Sequence, residues 1–248
     1  MDDGSAVEAP EVALEYLGHS AFFWTTPSGT RILIDPFGNP GEARPAPSFG
    51  ASSARWFERP FPLLGCDVVL VTHPHFDHDA VDRVRGEPTI VRGALQLEGT
   101  DFRIRGFAGR HARHYGTEFG QQNVIFTVEV AGVSFCHLGD NRAELPEDFL
   151  VAVGKVDVLV VPVDGNDHLL TPEEVDLVVD ALDPRVILPV HYRIDGLTDA
   201  GAPLGGIEGW LAGQPNVRSI EAARVTLSQP ELPASREVWT FDLSSTGP

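Results

Sequence analysis

At 248 residues, with 42% apolar side chains, the chain is long enough to bury one sizeable α/β core and lacks the composition of a disordered protein. Its formal net charge of −18, with Lys155 as the only lysine, opposes binding to nucleic acid or an anionic membrane surface but leaves room for a small anion at a local positive site. No apolar run reaches membrane-spanning length, and the acidic opening Met1–Ser5 lacks the basic-then-apolar order of a secretory signal. Cys66 and Cys136 both lie in strand-like runs and read as buried small hydrophobes, which fits a cytoplasmic location.

Val12 to Trp24 alternates loosely around Leu17-Gly18-His19-Ser20 and reads as an opening strand. After the turn Pro27-Ser28-Gly29, Arg31 to Asp35 pairs back as a hairpin partner and stops at Pro36. Residues 37–62 are rich in Gly, Pro, Ser and Ala, and a loop of that length is either lid-like or surface decoration. Cys66 to Val71 is a short buried strand, and Asp79 to Arg85 reads as a short helix. Short strands follow at Pro88–Arg92 and Asp101–Phe107. Asn123–Val130 and Val133–Leu138 form a hairpin about Ala131-Gly132. Lys155–Val163 is again a buried strand. Thr171-Pro172-Glu173-Glu174 is a capping box, and behind it Val175, Val178, Val179 and Leu182 form a helical stripe. Arg185–Val190 is a strand, Gly206–Ala212 a short helix, and Val217–Glu221, Arg224–Leu227 and Glu237–Leu243 are closing strands. Strand runs with helices in each half, and no linker between them, predict a single domain over 1–248 of the α/β class, an αββα sandwich.

The chemistry concentrates where strands end. Val71-Thr72 leads into His73-Pro74-His75-Phe76-Asp77-His78, three imidazoles and a carboxylate in H-x-H-x-D-H order. Imidazole nitrogen is the commonest protein metal ligand, and carboxylate oxygen complements it for zinc or manganese. Pro74 argues against a continuous helix through the cluster, so the residues form a bent loop. Further ligands end later segments: His111, with His114 competing for the same position, then Asp140 and His191. Seven candidates exceed the three or four ligands of one tetrahedral ion and suit two ions sharing a carboxylate.

Taken in order, His73 to His78, the loop His111, Gly139-Asp140 and the strand-end His191 resemble the metallo-β-lactamase superfamily over nearly the whole chain. Leu17-Gly18-His19-Ser20, Ile34-Asp35-Pro36, His137-Leu138-Gly139-Asp140, Val161-Pro162-Val163 and Leu188 to Arg193 look like its L-ascorbate-6-phosphate lactonase-like branch of zinc-dependent hydrolases. One departure is the run Val163-Asp164-Gly165-Asn166-Asp167-His168, where that branch usually has Gly-Gly and an aromatic. The loop borders the site in relatives, so substrate identity does not carry over.

The resemblance implies that His73, His75 and His111 hold one ion, that Asp77, His78 and His191 hold the other, and that Asp140 bridges, with Asp77 and Asp140 acting in catalysis. Two divalent ions, zinc or alternatively manganese, would then generate a hydroxide nucleophile near neutral pH. The expected activity is hydrolysis of a small ester, lactone or phosphodiester, lactonase- or phosphodiesterase-like. Arg193, Arg110 and Arg113 are expected to grip an anionic group, and His114 to contact substrate or stand in solvent. Asp35 and His19 are expected to orient ligands from behind, His137 to be a core histidine and His168 an exposed one. The competing readings are an iron-dependent oxidoreductase on the same fold and a metal-stabilised binding module. Neither a nucleic-acid nor a membrane partner is expected, and homo-oligomerisation is left open.

Overall fold

A computed structural model describes residues 9–41, 55–164 and 169–244. The expected loops at 37–62 and 163–168 therefore lie partly outside the described residues, and His168 wholly so. Two mixed sheets dominate. The first has six strands, in the order 224–227, 12–18, 21–25, 31–34, 68–70 and 89–91. The second has eight, in the order 217–220, 237–241, 186–190, 158–162, 133–137, 122–130, 102–110 and 96–98.

Strand burial explains the layering. Val158–Pro162 and Val186–Val190 are buried at every position, as parallel strands covered on both faces must be. Val158, Val160, Val186 and Leu188 pack into the core shared with Leu14, Phe22, Ile32 and Val69 of the first sheet. Their alternates Leu159, Val161 and Ile187 pack instead with Phe149, Val153, Val175, Val178 and Leu182. Those last residues belong to the helices Glu147–Val153 and Pro172–Leu182, so the helical cover lies on the second sheet's outer face. Aromatic residues Phe37, Trp56, Phe57 and Phe61 from the two described ends of the long loop are buried in the core between the sheets. The Asn39 side chain holds that return: its Oδ1 accepts from the Trp56 and Phe57 amides at 2.8 and 2.9 Å.

Local chemistry sets most boundaries. Thr171 caps the helix Pro172–Leu182 with a reciprocal bond to Glu174. Val130 and Val133 pair across Ala131-Gly132, whose φ values of 53° and 74° meet the demand of a two-residue hairpin turn for positive φ at both positions. Two expectations are corrected. Val12 to Trp24 is not one strand but a hairpin, Val12–Gly18 against Ala21–Thr25, because Gly18 and His19 adopt φ of 102° and 53° and reverse the chain. Asp79 to Arg85 forms only a 3₁₀ turn, Val81–Arg83, before extending again, and its first residue Asp79 is tied to Arg92 instead. Among the described residues no helix is long and apolar enough to cross a membrane.

The strand ends converge because Leu70, His137 and Val190 finish at one rim. Asn123 fixes the middle of that rim. Its amide donates to the Leu138 carbonyl at 3.0 Å and its Oδ1 accepts from the Asp140 amide at 3.2 Å. Gly139 between them has φ of 58°, and a Cβ there would stand 2.6 Å from Asn123 Oδ1 and 2.7 Å from Thr72 Cβ. Gly139→Ala is expected to destabilise the chelator-treated protein by about 2 kcal/mol or more, from left-handed strain plus the clash. Thr171→Ala is expected to cost about 1 kcal/mol through the lost cap. Urea denaturation of both variants beside the wild type measures these values, and chelation keeps ligand linkage out of them.

Candidate metal centre

Seven strand-end residues singled out in the sequence come together with an eighth, His19. The ligand-capable atoms of His73, His75, His111 and Asp140 lie within 4.8 Å of one another, as do those of His19, Asp77, His78 and His191. All are buried except His75, which is partly exposed.

Asp140 joins the two groups. Its Oδ2 lies 3.6 Å from His73 Nε2, 3.5 Å from His111 Nε2 and 3.5 Å from His191 Nε2, while its Oδ1 lies 3.4 Å from His78 Nε2. Asp77 Oδ2 stands 3.5 Å from both His78 Nε2 and His191 Nε2. These separations are long for hydrogen bonds. They match the roughly 3.3 Å between neighbouring ligand atoms of a tetrahedral ion with bonds of about 2.0–2.1 Å.

Hydrogen bonds behind the rings fix which nitrogen faces inward. Asp35 Oδ2 accepts from the Thr72 hydroxyl at 2.7 Å and stands 2.8 Å from His78 Nδ1, while Asp35 Oδ1 accepts from the Thr72 amide at 2.8 Å. With its proton given to Asp35, Thr72 Oγ1 accepts from His73 Nδ1 at 3.0 Å. His111 Nδ1 donates to the Ala112 carbonyl at 3.0 Å. In each of the three rings Nδ1 is thereby protonated and the Nε2 lone pair turns to the cluster, the arrangement metal-ligating histidines need. His78 Nε2, His111 Nε2 and Asp140 Oδ1 are buried without a hydrogen-bond partner. Orphaned buried acceptors aimed at one point fit a cation.

Without metal, protonation divides the rings of the cluster. Burial would push the Asp77 and Asp140 carboxyls up, but the surrounding imidazoles hold both well below the usual carboxylate range. Burial depresses His73 and His75, and it takes His19 down to about 4, with His191 adding to the effect. His78 and His191 are the exceptions: burial opposes their charge, yet Asp140, Asp77 and Asp35 together raise His78 to about 10, and Asp140 and Asp77 raise His191. Neutral imidazoles beside ionised carboxylates are the ligating forms of both groups.

His19 is 3.0 Å from Asp77 Oδ2, a hydrogen-bond distance, so its Nε2–H holds Asp77 at the oxygen that also faces His78 and His191. Its backbone carbonyl accepts from Tyr16 Oη at 2.8 Å and from the His191 amide at 3.1 Å. His137 is a core histidine, with Nε2 on the Ser20 carbonyl at 2.9 Å. His111 takes the cluster position, and His114 is exposed with its ring stacked on Tyr115.

The three arginines expected to grip an anion have hydrogen-bond partners within the chain. Arg113 makes a two-pronged contact with Glu174, Arg193 donates to the Asp199 and Ala202 carbonyls, and Arg110 donates to Gln121. Thr72 and Asn123 organise the site without having been singled out. Thr72 could have been found, since it precedes the first histidine at the strand end, whereas Asn123 reads only as the start of a strand.

Residues 13–191 match the family described as the beta-lactamase superfamily domain. A metal-dependent hydrolase of Thermococcus onnurineus is 28% identical over 210 residues, covering 73% of this chain and 85% of the relative. One from Koribacter versatilis is 29% identical over 210 residues, covering 72% and 83%. A solved structure from Thermotoga maritima, described as a Zn-dependent hydrolase of the metallo-β-lactamase superfamily, superposes with a TM-score of 0.67 at 24% identity, covering 93% of this chain and 98% of that one. The two stacked sheets, the rim of histidines and aspartates and the match over most of the length make this chain a member of the metallo-β-lactamase superfamily.

Proposed function

We propose that this chain is a metal-dependent hydrolase with a binuclear centre, cleaving a small ester, lactone or phosphodiester. The observation that carries the reading is Asp140, whose two carboxylate oxygens lie at ligand spacing from histidines of both groups. His73, His75 and His111 would hold one ion, and Asp77, His78 and His191 the other. The names of the relatives from Thermococcus onnurineus and Koribacter versatilis support hydrolysis as the reaction class.

When bound, divalent ions, zinc or alternatively manganese, polarise a substrate oxygen and lower the pKa of water toward neutrality. The protein's own part is to hold the ligands. Asp35 orients His78 directly and His73 through Thr72, and the Ala112 carbonyl orients His111. His19 holds the Asp77 carboxylate at Oδ2, the same oxygen that faces His78 and His191. With Arg110, Arg113 and Arg193 engaged elsewhere, attraction for a small anion would rest on the ions' charge, which dominates the local field over distant surface carboxylates.

Metal analysis of the gently purified protein is expected to find about two divalent ions per chain. His111→Ala should deplete one and His191→Ala the other, while Asp140→Ala should weaken both. Full occupancy of both groups in Asp140→Ala would remove the bridge, and native iron would redirect the reaction class to oxidation. Asp35→Asn keeps the shape of the side chain but weakens both orienting bonds, and should lower metal affinity about 10–100-fold. On a panel of phosphodiesters, lactones and esters, Asp77→Asn should cut turnover by orders of magnitude with the fold intact by circular dichroism. Arg193→Ala should lower thermal stability, through the 194–202 loop it braces, without changing the preference between anionic and neutral substrates.

A further inference from the structure

Every ring in the cluster needs something behind it, and the supports differ in burial. The pair Asp35 and His78 is 0% exposed at both side chains. Thr72, Ala112 and His19 are also buried. His75 differs. Its Nδ1 faces His73 Nε2 at 3.0 Å, and its Nε2 points away to Glu118 Oε1 at 3.4 Å, with the two side chains 15% and 27% exposed.

Glu118 sits on a single 3₁₀ turn, Thr117–Phe119, bounded by Gly116 and Gly120 with φ of 73° and 72°. The neighbouring Phe119 packs edge-on against His75, ring centroids 4.9 Å apart, and against His111 at 6.3 Å. Gln121 closes the loop behind it, its amide on the Gly116 carbonyl at 2.6 Å and its side chain on the Arg113 carbonyl at 2.7 Å. The turn is therefore docked on the first group by one aromatic ring and one carboxylate.

The ring chemistry gives that carboxylate a task. His73 donates through Nδ1 to Thr72, so its Nε2 is a bare lone pair. If His75 donates through Nε2 to Glu118, its Nδ1 is bare as well, and two lone pairs face each other at 3.0 Å. A cation between or beside them resolves that opposition, whereas the other tautomer of His75 would turn an N–H toward the ion's place. An acceptor behind the ring selects the ligating tautomer and raises the basicity of the inward nitrogen.

We infer that Glu118 is the positioning residue for His75, and that through this ring it sets the metal affinity of the His73, His75 and His111 group separately from the other group. The inference rests on the binuclear reading proposed above. Among the ring supports Glu118 is the one that solvent reaches, while Thr72, Ala112 and Asp35 are buried.

The test uses the full chain, stripped with a chelator and titrated with Zn²⁺ against a chromophoric competitor. His191→Ala is the background that isolates the first group, and His111→Ala the one that isolates the second. Glu118→Gln is expected to weaken Zn²⁺ binding about 10–100-fold in the first background and to leave the second unchanged. Glu118→Ala should behave alike, and the thermal midpoint of the metal-free protein should not move, because the side chain lies at the surface. Equal weakening in both backgrounds, or none in either, overturns the assignment. A wild-type chain that bound no Zn²⁺ would instead overturn the metal-centre reading itself, and the two failures are told apart by the wild-type titration.

Discussion

The Asp35 carboxylate is shared by the Thr72 amide, the Thr72 hydroxyl and the His78 ring, all within 2.7–2.8 Å and out of contact with water. Through these bonds one side chain fixes a ring in each metal group, His78 directly and His73 by way of the hydroxyl. The geometry is possible because the strand Arg31–Ile34 ends beside the strand Val68–Leu70, and the Asp35 amide closes on the Leu70 carbonyl at 3.0 Å. Asp35 itself has φ of 48°, left-handed backbone that costs a non-glycine residue about 1–2 kcal/mol. Hydrogen bonds to an ionised group are worth about 1.5–3 kcal/mol each, so the set of them outweighs the strain.

The same trade recurs at His19 and His191, with φ of 53° and 63°. Strain of this kind clusters at functional sites because surrounding bonds over-determine it. Here the surrounding bonds are visible. The His191 amide donates to the His19 carbonyl, and Tyr16 Oη donates to the same carbonyl. The opening hairpin and the late strand Val186–Val190 are thus stitched together at two residues that both meet Asp77 Oδ2. Burial raises the Tyr16 hydroxyl well above its usual range, which keeps it a proton donor to that carbonyl at any physiological pH.

Much of this was legible in the sequence, for physical reasons. Thr171 to Glu174 specifies its helix by a local cap, and Ala131-Gly132 specifies its hairpin by a local turn, so neither depends on distant residues. The H-x-H-x-D-H run announced its chemistry because little else requires three imidazoles and a carboxylate at one strand end. What escaped was set by tertiary contact. The reversal at Gly18-His19 hides inside an alternation that both arms of the hairpin continue. The helical reading of 79–85 failed because Asp79 is drawn to Arg92 on the neighbouring strand segment. The contacts of the flanking arginines were not legible either, because flanking position does not fix where a long side chain ends. Arg113 ends on Glu174 and Arg193 on two carbonyls, partners 61 residues and up to nine residues away.

The buried acids also explain why folding and metal binding belong together in this chain. Asp35, Asp77 and Asp140 lie within one rim at exposures of 0%, 3% and 2%, in a protein already carrying a formal charge of −18. An isolated buried carboxylate costs several kcal/mol, and imidazoles offset that cost only by taking up protons, as the elevated His78 shows. A divalent ion would supply the compensating charge through the same ring lone pairs, and it would have to displace any proton His78 has gained at Nε2. Binding to the folded state alone then adds stability in proportion to the logarithm of metal concentration over its dissociation constant. On the proposed reading the metal-free rim is the less stable state of this fold, held by Asp35 and by hydrogen bonds that already orient the rings.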